Sequence, residues 1–153
     1  MGHAILERIV KSRDLCIEVT SAGINDFSGT PPADNAWLTC LQNNTPISKM
    51  EATFVGDLDI NRIDSFLAME QRHSEVLVSD YGVPEDRVWL LGVFDPSIDA
   101  AEIEDPINKP KLAFQNCFSR IERSIQTFLA EKVGIEQGGG GQPATRRDSK
   151  RPS

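Results

Sequence analysis

Apolar residues recur along this chain with two periods, and the periods alternate. Ile5, Leu6, Ile9 and Val10 fall at helical spacing, which predicts an amphipathic helix over residues 1–15. No Ser, Thr, Asp or Asn precedes it as a cap. "CIEVTSAG" alternates, is rich in β-branched residues and ends in glycine, so it predicts a strand over residues 16–23. "NDFSGTPP" is loop. Thr30 as N-cap and Pro31 in the first helical position predict a helix through "PADNAWLTCLQNN". A short helical turn is expected near residues 58–63 and a strand at "SFLAM". A helix follows over "EQRHSEVLVSDYG", closed by Gly82 and blocked by Pro84.

"RVWLLGVF" is nearly all apolar, as a strand buried on both faces would be. "DPSIDAAEIEDPINKP" is a long acidic loop with three prolines. The longest helix is "KLAFQNCFSRIERSIQTFLAEKVG", with an apolar stripe of Phe114, Cys117, Phe118, Ile121, Ile125, Phe128 and Leu129. The sequence predicts one domain over residues 1–134 and a disordered, Gly-rich and basic tail over 135–153. Helices alternating with strands predict an α/β fold with a parallel sheet covered by helices on both faces, in three layers. Such sheets bind ligands beyond the carboxyl ends of their strands.

Charge narrows the partners. The net charge is −7, yet residues 138–153 hold four bases and one acid, which leaves −10 on the rest. An acidic body is a poor match for nucleic acid or an anionic membrane. No apolar run is long enough to span a bilayer, and no basic segment leads an apolar one at the start. Met1-Gly2 opens like a myristoylation signal, but Leu6 stands where Ser or Thr is needed. Three scattered cysteines form neither a disulfide framework nor a zinc site, so the expected compartment is the reducing cytoplasm. His3 and His73 lie far apart without a ligand constellation, and no cofactor or metal is implied.

Several segments together resemble the low-molecular-weight protein tyrosine phosphatases. "VTSAG" resembles the end of the family's second strand, and "GTPPAD" the opening of its next helix. "PISKMEATFVGDLDINRIDSFLAME" follows its run into the third strand, "LLGVFDP" is close to its fourth, and "IEDP" matches the segment carrying its general acid. The order and spacing agree from Met1 to about Lys132. The resemblance implies hydrolysis of phosphotyrosine proteins or small aryl phosphates, with Asp105 as general acid and Ser21 supporting the phosphate loop. On sequence chemistry alone, Asp105 reads as an ordinary solvated acid in an acidic loop, and Ser21 as the close of a strand. Members open with a strand, then a loop of Cys, five residues and Arg, then Ser-Pro and a helix. Here that helix is matched by residues 1–15, so the resemblance implies an N-terminally truncated member whose nucleophile loop and first, central strand lie upstream of Met1.

That loop carries the chemistry. Converging N–H groups at a helix N-terminus bind the phosphate and depress the thiol's pKa. Arg grips two phosphoryl oxygens, and a separate acid protonates the leaving oxygen. Of these parts the chain keeps a candidate for the last, Asp105. Aromatic residues usually follow the family's Asp-Pro and flank the substrate ring; here Ile107 and Asn108 follow.

Cys117 and Arg123 satisfy the bare Cys-x5-Arg spacing. Inside a helix, six residues turn the chain through about 600°, so the two side chains point to different sides. Cys117 therefore reads as a core thiol, as do Cys16 and Cys40, and Glu70 as a helix-start acid favoured by the helix dipole. A strand of about five residues removed from the sheet centre orphans several polar groups at about 1–3 kcal/mol each, a loss on the order of 10 kcal/mol. The expected chain is marginally stable, or filled by water or a partner strand. Three functions follow: an incomplete phosphatase-family chain (a short isoform or a late-starting gene model), a binding or regulatory module, and, ranked last, a different enzyme on the fold such as an arsenate reductase.

Overall fold

The computed structural model describes residues 1–48 and 51–134. Helix α1 spans Gly2–Ser12 and α2 spans Asp34–Gln42. Two 3₁₀ turns, Val55–Asp57 and Ile60–Arg62, lead to strand β1, Phe66–Ala68. Helix α3, Gln71–Ser79, connects β1 to β2, Val88–Leu90, and α4 runs over Lys111–Lys132. The strands pair in parallel, Phe66 with Val88, Leu67 with Trp89 and Ala68 with Leu90.

That register sorts the core. Leu67 and Trp89 pack against the larger cluster, where Ile5 and Ile9 of α1 and Cys40 of α2 meet Leu91, Phe94, Ile121, Ile125, Phe128 and Leu129. Phe66 and Val88 face the opposite way, onto Val55, Leu77 and Val83. Successive strand residues point to opposite faces, so the two clusters lie on either side of the sheet and make three layers. The α4 stripe is buried apart from Cys117, which is half-buried. Gly82 closes α3 at φ +65°, a left-handed conformation in which other residues are strained.

Four expectations need correction. Residues 16–23 do not form a strand. Their alternation is real, with Ile17, Val19 and Ser21 turned partly inward and Cys16, Glu18 and Thr20 outward. Yet among the described residues no strand lies alongside, and one parallel bridge, Gly23 with Phe54, marks the segment's end. An alternating pattern makes a strand only with a ladder partner. Cys16 is consequently exposed rather than buried.

Helix α2 begins at Asp34, with Ala33 as N-cap, not at Pro31. The Thr30 hydroxyl turns back to donate to the Phe27 carbonyl, and Pro32 disfavours helical geometry at Pro31. "RVWLLGVF" yields only the three residues of β2 before the chain coils into a 3₁₀ turn, Leu91–Phe94. The β2 residues are half-buried and Val93 is exposed, because among the described residues β2 has a neighbour on one edge only. The tail expected over 135–153 lies outside the described residues.

Candidate functional site

The carboxyl end of β1, the first turn of α1 and the loop over residues 95–110 converge. Ile103 N–H donates to Met69 O (2.8 Å), and Gln71 N–H to Glu102 Oε1 (2.6 Å), which ties the loop to the β1–α3 junction. A Cβ added at Gly2 would stand 2.9 Å from Met69 Cε, so α1 starts against that junction. The Met1 ammonium and the Asp105 carboxylate both act on the Cys117 thiol, from α1 and from the loop.

Asp105 is exposed, and its Oδ1 accepts from Ile107 N–H (3.0 Å) in an Asx turn. Pro106 behind it is buried and favours extended backbone at Asp105. Ile107 is 56 % exposed, so no ring or apolar wall stands over the acid from that side. Ser21 lies beside α1's first turn, its Oγ 3.1 Å from His3 Nδ1. Glu70 caps α3 and forms a reciprocal capping box with His73, while its Oε2 accepts from Arg72 Nε (2.8 Å).

The cysteines divide by environment. Burial pushes the Cys117 thiol up to about 11, and its Sγ lies 4.0 Å from Glu104 O. Burial raises the Cys40 thiol as well. A thiol must ionise to attack, and neither site favours that. Arg123 is committed elsewhere: its Nε and Nη2 fork onto Asp95 Oδ1 and Oδ2 at 3.0 and 2.9 Å. Cys117 and Arg123 thus serve different neighbours on one helix.

The sequence points to neither Asp95 nor Arg120 as a site residue, and to Arg123 only through its spacing from Cys117. Asp95 is buried, receives Ser97 N–H (2.9 Å) and is held below the usual carboxylate range chiefly by Arg123. Arg120 sits 3.5 Å from Asp95 and donates to Glu102 O (2.6 Å) and to Ala100 O. The α4 guanidiniums therefore bind both the root and the middle of the loop that carries Asp105. An acid at the end of an apolar run, followed by arginines one helical turn apart on the last helix, was the available signal. A groove of about 620 Å³ between α3 and β2 contains neither Asp105 nor Ser21. Among the described residues, no His, Cys, Asp and Glu cluster could hold a metal ion, and no helix is long and apolar enough to cross a membrane.

A parallel strand–helix–strand unit, with helices on both faces and an acid-bearing loop at the carboxyl edge, defines an open α/β domain, a class whose ligands generally bind at that edge. The chain belongs to the low molecular weight phosphotyrosine protein phosphatase family, whose model matches residues 1–137. A probable low molecular weight protein-tyrosine-phosphatase, EpsP, from Ralstonia solanacearum is 26% identical over 129 residues, covering 84% of this chain and 83% of the relative. The Wzb phosphatase of Salmonella typhi is 26% identical, with 86% of each chain covered. Among solved structures, YfkJ from Bacillus subtilis superposes with a TM-score of 0.77 at 22% identity, covering 89% of this chain and 87% of its own. The low molecular weight protein tyrosine phosphatase from T. tengcongensis gives 0.76 at 22% identity, with coverages of 85% and 88%.

Proposed function

We propose that this chain carries a phosphatase-family domain that presents the general acid of phosphomonoester hydrolysis, Asp105, but does not itself complete the reaction. The ligand class is a phosphotyrosine protein or small aryl phosphate. The observation that carries the reading is the state of the thiols. The Cys-x5-Arg spacing in the chain falls on α4, where burial suppresses thiolate at Cys117 and Asp95 occupies Arg123. Phosphoryl transfer to a thiol needs a thiolate and a cationic clamp on one phosphate. Asp105 and Ser21 would then keep the supporting positions of the family's site. The test is incubation of the purified chain with p-nitrophenyl phosphate at mildly acidic pH. No turnover above buffer is expected; turnover that Cys117→Ser abolishes would overturn the reading.

A second reading is a non-catalytic module that captures an extended strand. It is favoured by residues 16–20, which alternate as a strand does and join no sheet among the described residues. Pull-down from cells with the recombinant chain tests it, and recovery of nothing above background would sink it.

A further inference from the structure

The residue that completes the α3 capping box is a histidine, where glutamate or glutamine is usual. The Glu70 N–H donates to His73 Nδ1 at 3.3 Å. Nδ1 can accept only while it carries no proton, so the box requires the neutral ring with its proton on Nε2. The junction that this box closes also anchors the acid-bearing loop. Gln71 N–H, one residue into the turn, holds Glu102 Oε1, and Met69 O, one residue before the cap, holds Ile103 N–H.

The groups acting on the ring are mostly carboxylates: Glu70 at the cap, with Glu102 and Asp105 on the loop; Arg72 is the cation among them. We propose that His73 is a proton-operated latch on the loop that carries Asp105. Neutral, it closes the first turn of α3. Protonated, it releases the Glu70 N–H and turns as a cation toward Glu70, Glu102 and Asp105, which draws Glu102 away from Gln71 N–H.

Burial is the largest influence on the ring and lowers its pKa, while the three carboxylates oppose that shift. The neutral, capped form is thus complete above the ordinary histidine value of about 6.5 and is lost as pH falls through the lower folded value. The latch concerns how the loop is held, and stands whether or not Asp105 serves as an acid. His73 is a positioning residue in this account, since it acts on the loop through the junction.

The experiment is a pH titration of the ¹⁵N-labelled full chain by NMR from pH 8 to 5. It follows the His73 ring and the amides of Glu70, Gln71 and Ile103. All three amides should shift with the ring's midpoint, and protection of Gln71 N–H from exchange should fall about fivefold below it, the size of one lost capping contact. His73→Gln supplies a non-titrating acceptor at the same position, so it should keep the protection and abolish the pH dependence. His73→Ala should lose the protection at every pH. A Glu70 amide that stays fixed while the ring titrates would overturn the capping role. Movement confined to Glu70, with Gln71 and Ile103 unmoved, would overturn the coupling to the loop. The same titration persisting in His73→Gln would assign it to another group and end the proposal.

Discussion

Replacing Asp95 by Asn tests whether the loop is pinned by charge. The carboxylate has no solvent exposure and accepts from Arg123 at two oxygens, from Ser97 N–H, and electrostatically from Arg120. Asn keeps the shape and one acceptor for Ser97, but turns an N–H₂ toward guanidinium donors. Charge-assisted bonds contribute about 1.5–3 kcal/mol each, and breaking a buried pair costs about 3–5. Arg123 is 37 % exposed and can rehydrate once released, which lowers the expected loss to about 2–4 kcal/mol. With a urea m-value of about 2 kcal/mol/M, the midpoint should fall by about 1–2 M, with m unchanged.

The acid limb supplies a second readout. Arg123 depresses the folded pKa of Asp95, so its contribution is complete above the ordinary carboxyl value and is lost as pH falls through the folded one. Asp95→Asn should therefore flatten the loss of stability as pH falls below the ordinary carboxyl value of about 4. Urea melts followed by circular dichroism at pH 7 and along that acid series give both numbers. A cost below about 0.5 kcal/mol with an unchanged acid limb would refute the pinning. So would a double mutant with Arg123→Gln whose cost is the plain sum of the two singles.

The other expectations follow from packing and exposure. Phe128→Ala should cost about 3–5 kcal/mol by urea titration, because its ring packs edge-on to Phe94 at 5.3 Å and tilted to Trp89 at 6.4 Å in the larger core. Gly92→Ala should destabilise by about 1–3 kcal/mol or more, since a Cβ there would stand 2.4 Å from Ala101 O and push on the middle of the loop; a neutral melt would contradict that contact. Iodoacetamide at pH 7.5, read by peptide mass spectrometry, should label exposed Cys16 well before Cys40 and Cys117, and prior labelling of Cys117 would contradict its suppressed ionisation.

The helices were legible because each buries a stripe whose period survives any arrangement of neighbours. The α4 pattern named Phe114, Phe118, Ile121, Ile125, Phe128 and Leu129, and all six are buried. Strands were less legible because a ladder needs two segments and the pattern of one cannot report its partner. Residues 16–20 alternate as a strand does but join no ladder among the described residues, the segment's single bridge coming later at Gly23, whereas "SFLAM" contains three paired residues because β2 lies beside it. In the candidate site, Asp105 and Ser21 could be named by resemblance. The arginines that hold the loop could not, since Asp95 and Arg123 stand 28 residues apart and only folding aligns them.

The distribution of contacts also explains how a domain with so short a sheet can hold its loop in place. In most open α/β sheets the carboxyl-edge loops are positioned by neighbouring strands. Here the paired strands contribute three residues each, and α4 carries the larger share: its apolar side packs against α1, α2 and the turn at Leu91–Phe94, and its polar side presents Arg120 and Arg123 to the loop. One helix thereby sets both the core and the height of the acid-bearing loop above it. Damage to the α4 guanidiniums should release the loop while leaving the apolar stripe intact, and damage to the stripe should unfold both together. Local amide exchange at residues 99–105 in Arg120→Gln, set against Phe128→Ala, separates the two: accelerated exchange confined to the loop in the first and spread through α4 in the second is the pattern this division of labour requires.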